Sequence, residues 1–107
     1  MAWNTTTKYS ASEEMVKSAL KDKWVFEISC EGEFILLGSN DFDEIMEHIH
    51  SVEVADVHLQ KEGEKEDWCC IILHNGEPDC EISDCIVGGY VDQWCQRTDY
   101  GQKKGEL

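Results

Sequence analysis

Between Trp24 and Ile49 the spacing of apolar residues switches from every second position to every third or fourth. Trp24, Phe26, Ile28 and Cys30 alternate with Val25, Glu27 and Ser29, the pattern of a strand with two unlike faces. Glu31-Gly32 offers a tight two-residue turn, and Phe34 to Leu37 returns as a second strand. Gly38, Ser39 and Asn40 break that strand. Asp41 with Glu44 three residues later is a capping-box pattern. Phe42, Ile45, Met46 and Ile49 then form an i, i+3, i+4, i+7 stripe, which predicts a helix over 41–50. Two-residue turns join antiparallel strands, whereas parallel strands need a crossover of a dozen residues or more. The segment is therefore limited to a hairpin followed by a helix.

The flanks extend the same alphabet. Ser10 with Glu13, followed by Met15, Val16, Ala19 and Leu20, predicts a first helix over about 11–22. Val54 to Gln60 reads as a third strand and Lys61 to Glu66, around Gly63, as a solvated turn. Trp68 to Leu73 is apolar at successive positions, which predicts a central strand buried on both faces. Asn75-Gly76 is the strongest hairpin signal in the chain, and Glu77 to Ile82 is its return strand. Pro78 cannot donate to a ladder, so this strand belongs at a sheet edge.

Ser83 or Asp84 is expected to cap a last helix carrying Ile86, Tyr90 and Trp94, with Val87, Val91 and Cys95. Gly88-Gly89 weakens that helix by about 1 kcal/mol per glycine and leaves room for another backbone to approach. Trp24, Gly32-Glu33 and Ser39-Asn40 recur 44 positions later as Trp68, Gly76-Glu77 and Ser83-Asp84, suggesting two ββα halves. The expected fold is α+β: an antiparallel sheet of about five strands packed against two or three helices. At 107 residues it is expected to be one domain, 1–107, with 1–9 and 98–107 as loose ends.

Charge separates the function classes. From Glu27 to Asp92 there are eighteen carboxylates and two ammonium groups, a balance of −16 against −14 for the whole chain. Such a field repels nucleic acid, anionic lipid and phosphorylated substrates, and attracts basic protein surfaces. A hydrophobic fraction of 41% with four Trp marks a folded protein rather than an acidic tail. No apolar run approaches the roughly 20 residues of a membrane span, and Met1 to Ser10 has no secretory character. A cytoplasmic location is expected. There the six cysteines read as free, largely buried thiols.

Catalytic and metal patterns are weak, and no catalytic residue, metal site or cofactor is expected. Cys69, Cys70 or Cys80 with His74 would be a thiol–imidazole pair, but Glu66, Asp67, Glu77, Asp79 and Glu81 would raise the thiol pKa. Cys85 is the exception, since it falls where the last helix is expected to begin. There is no Cys-x-x-Cys, and His48 and His50 point to opposite sides of a helix. Asp79, Glu81 and Ser83 alternate as in a calcium loop, but the sixth position is Asp84 and the twelfth Tyr90.

What remains is the acidic surface. Glu77, Asp79 and Glu81 are expected on one strand face, about 6.6 Å apart, with Glu62, Glu64 and Glu66 as a second row beside them. Asp43, Glu44 and Glu47 form another patch on the second helix. Carboxylates at that pitch resemble the charge periodicity of a nucleic-acid backbone. The expectation is a non-enzymatic inhibitor that occupies the basic groove of a nucleic-acid-handling protein, of anti-CRISPR, anti-restriction or toxin-immunity type. Trp3, Trp68, Tyr90 or Trp94 would supply contacts besides charge. The alternatives are a small accessory or homodimerising domain whose acidity serves only solubility, and a zinc- or thiol-dependent enzyme.

Overall fold

Glu31 and Gly32 both adopt positive φ, 52° and 86°, the requirement of a type I′ hairpin turn. They join strands β1 (Val25–Cys30) and β2 (Glu33–Ser39), with Cys30 paired to Glu33 across the turn. The computed structural model describes residues 11–72 and 81–98. Around this hairpin lie α1 (Ala11–Lys21), α2 (Phe42–His50), β3 (Ala55–Gln60), β4 (Asp67–Ile71), β5 (Ile82–Cys85) and α3 (Tyr90–Arg97). The five strands form one antiparallel sheet in the order β2-β1-β3-β4-β5, and with three helices the fold is α+β.

All three helices pack on one face of that sheet. Phe26, Ile28, Val57, Leu59, Cys69 and Ile71 point into the helix layer. They meet Met15, Val16 and Ala19 of α1, Ile45 and Ile49 of α2, and Val91 and Trp94 of α3 in one buried cluster. No helix or strand among the described residues covers the opposite face.

Local signals set the helix ends. Asp41 caps α2, its side chain accepting from the amides of Asp43 and Glu44 at 3.0 and 3.3 Å, a contact worth about 1 kcal/mol. Glu44 completes the box through a relay. Its carboxylate accepts from Ser39 Oγ at 2.6 Å, and Ser39 Oγ accepts from the Asp41 amide. Helix α1 ends in a Schellman arrangement, with Trp24 N–H on Ala19 C=O and Lys23 N–H on Leu20 C=O. Lys23 occupies the left-handed position, φ 75°, that glycine prefers. Lys23→Gly should therefore raise stability by about 0.5–1 kcal/mol in urea denaturation.

Both sheet edges are interrupted. Strand β2 carries two register shifts against β1, and β5 carries one against β4. Bulges of this kind blunt an edge against pairing with another chain.

The second half departs from expectation. Strand β4 has neighbours on both sides, but only its Asp67, Cys69 and Ile71 are buried; Trp68 and Cys70, on the helix-free face, are half-buried. The expected return strand, Glu77 to Ile82, is displaced to Ile82–Cys85, through the positions expected to cap the last helix. Asn75, Gly76, Glu77, Pro78 and Asp79 lie outside the described residues, as do Ser10 and Trp3. Helix α3 begins five to six residues later than expected. Gly88 takes φ +82°, which no right-handed helix can contain, so Ile86 and Val87 are left in a loop. Cys85 consequently ends a strand and does not sit in a helical first turn.

Candidate protein-binding face

On the helix-free face, side chains from strands distant in sequence fall into two rows. One runs Glu27, His58, Trp68 across β1, β3 and β4. The other runs Phe34, Ser29, Asp56, Cys70, Asp84 from β2 to β5. Each strand step is roughly 5 Å. Glu66, just ahead of β4, is linked to Glu27 of the first row by Gln60, whose Nε2 donates to Glu27 Oε1 and to Glu66 Oε2, both at 3.2 Å. The face thus carries Glu27, Asp56, Glu66 and Asp84, and neither row contains a lysine or arginine. Among the described residues, none of these four is in an ion pair with Lys or Arg. Glu66 Oε1 lies 3.8 Å from His58 Nδ1. Phe34, 52% exposed, lies with its ring 5.5 Å from the His58 ring, and half-buried Trp68 stands on the other side of His58.

Ser29, His58 and Glu66 have the chain order of a nucleophile, base and acid, with Ser29 Oγ 3.2 Å from His58 Nε2. The geometry favours a positioned imidazole over an attacking serine. Ser29 is 6% exposed near the end of β1, on the sheet face opposite the three helices, so no helix N-terminus among the described residues is placed to form an oxyanion hole. Glu66 is too distant for a hydrogen bond.

The predicted acids divide. Glu62, Glu64 and Glu66 are exposed on the β3–β4 turn, but Lys23 and Lys61 line the same groove, so that row is of mixed sign. Asp43, Glu44 and Glu47 are exposed on α2, in the helix layer, and the sheet separates them from the acidic face. Glu77 and Asp79 lie outside the described residues. Glu81 leaves the expected surface row: it is 7% exposed, and its Oε1 accepts from the Ser12 amide at 2.9 Å, in the first turn of α1. Trp94 is in the core rather than on a contact surface.

Glu27, Asp56, Asp84, Phe34 and His58 were not singled out as contacts from sequence. The available signal was their alternation with core residues. Glu27 lies between Phe26 and Ile28, and Asp56 and His58 alternate with Ala55, Val57 and Leu59. Bringing them together required the β1–β3–β4 order, which the sequence does not state.

The thiols beneath α3 are poor nucleophiles. Burial, then Asp67, pushes Cys69 well above its ordinary value. Burial, then Asp92, pushes Cys85 up to about 11. Burial, then Cys85, pushes Cys95 up to about 12. The folded state holds these protons longer than the unfolded chain does. For Cys85 and Cys95 the stabilising share is complete below pH 9, the ordinary thiol value, and is lost as pH rises through 11 to 12. Urea midpoints should fall over that window. A disulfide reagent at pH 8 should label Cys69, Cys85 and Cys95 far more slowly in the folded protein than after unfolding. Among the described residues, no three of His, Cys, Asp and Glu converge to hold a metal ion, and no helix is long and apolar enough to cross a membrane. No protein-family model, no curated protein and no solved structure matches this chain.

Proposed function

We propose that this protein is a non-enzymatic binding protein that covers the basic, nucleic-acid-binding surface of a partner and so inhibits it. One observation carries the reading: a helix-free sheet face presents Glu27, Asp56 and Asp84 with no lysine or arginine in its rows. Carboxylates left unpaired at a surface attract a basic protein over a Debye length and repel nucleic acid. Phe34 and Trp68 add apolar area that a partner can desolvate, which charge alone does not supply. Strand pairing fixes the backbone spacing of these groups, so binding has side chains rather than backbone to order.

The test is competition. The immobilised protein should retain a basic, nucleic-acid-binding protein from its native host at about 0.05 M salt and release it by about 0.5 M. Added in solution, it should displace nucleic acid from that partner. A retained protein that is not basic, elutes independently of salt, or keeps its nucleic acid would refute the reading.

A further inference from the structure

Where the β3–β4 turn meets the β5–α3 loop, a groove of about 700 Å³ opens beside the acidic face and shares Glu66 with it. Trp24 and Tyr90 form one side, with ring centroids 5.5 Å apart. The groove already holds a cation, since Lys61 Nζ sits 5.6 Å above the Trp24 ring. Asp67 also lines it. Only 3% of Asp67 is exposed; its Oδ2 accepts from the Val91 amide at 2.9 Å, while the buried Oδ1 has no hydrogen-bond partner. A carboxylate oxygen removed from water and left unpaired favours any donor that reaches it. At the rim stands Val87, 92% exposed, an apolar lip that a partner can cover.

We infer that this groove receives one arginine side chain of the basic partner, stacked on Trp24 in place of Lys61. The inference rests on the acidic-face reading above. A guanidinium is planar, stacks on an indole, and carries five donors that can serve the exposed rim carboxylates Glu64 and Glu66 together, with the buried Asp67 charge behind them. A lysine ammonium cannot stack in this way. Lys61 therefore acts as a resident competitor that the partner's arginine displaces.

The experiment uses a hexa-arginine peptide as probe, with affinity measured by calorimetry at constant ionic strength. Lys61→Ala and Lys65→Ala each remove one positive charge from the same turn, but only the first vacates the indole. Lys61→Ala should tighten the peptide about threefold to fivefold more than Lys65→Ala does, and should enlarge the peptide-induced shift of the Trp24 indole resonance. Equal effects of the two variants would overturn the groove assignment. Asp56→Lys, outside the groove, separates the two levels. If it weakens the peptide while the lysine variants match, the acidic face stands and the groove falls. If it has no effect, the acidic-face reading fails as well.

Discussion

Gly89→Ala should cost about 2–4 kcal/mol of stability, far more than an exposed loop position ordinarily would. Backbone strain is not the cause, because Gly89 is extended, with φ −78° and ψ −179°, and any residue can adopt that conformation. The cause is Asp67. A Cβ on Gly89 would overlap Asp67 Oδ1, and Asp67 is fixed by burial and by the Val91 amide. Gly89 has no side chain to cap α3, so a carboxylate from β4 supplies the acceptor, and the glycine leaves space for it. The helix start is further held by Asp92 Oδ2 on the Gly88 amide at 2.7 Å. Gly88 provides the contrast. It has positive φ and no neighbour near its missing Cβ, so Gly88→Ala should cost only the left-handed penalty, about 1–2 kcal/mol. Asp67→Ala should also destabilise. In that background Gly89→Ala should cost less than about 1 kcal/mol, because the overlapping atom is gone. Urea denaturation of the four-member cycle measures the coupling. Additive losses, or a Gly89→Ala cost no larger than that of Gly88→Ala, would refute this account.

The same corner explains what the sequence could and could not convey. In the first hairpin and α2 every local signal agrees: Phe26 and Ile28 alternate, Glu31-Gly32 turns, Asp41 caps, and Ile45, Met46 and Ile49 form the buried stripe. Such elements are legible because each is determined within about ten residues. At α3 the stripe of Ile86, Tyr90 and Trp94 runs unbroken through Gly88-Gly89, so periodicity places the start too early. The true start depends on Asp67, 24 positions from the amide it caps. Glu81 fails for the same reason. Its alternation with Asp79 reads as a solvent-facing row, whereas its partner is Ser12, 69 positions away. The sign of the surface was therefore readable and its location was not. Glu27 and Asp56 share a face only because β3 pairs with β1.

That location makes the functional reading specific. Exchanging Glu27 and Asp56 for lysine turns two negative groups of one face positive, a swing of four charges within about two strand spacings. Each lost attraction is replaced by a repulsion against a basic partner, and together these should weaken binding of the partner captured in the competition assay by about a hundredfold, or roughly 2.7 kcal/mol. Asp43→Lys with Glu47→Lys makes the same swing on exposed positions of α2, in the helix layer beyond the sheet. Net charge and long-range steering change equally, so the α2 pair should cost only about threefold, expressed in the association rate. Raising salt from about 0.15 M to about 0.5 M should shrink the difference between the pairs, because screening acts on both attraction and repulsion. Circular dichroism should show both double variants folded, since none of the four side chains is in the core. Equal weakening by the two pairs would mean that overall acidity, and not the sheet face, draws the partner. No weakening by either would remove charge from the interaction altogether.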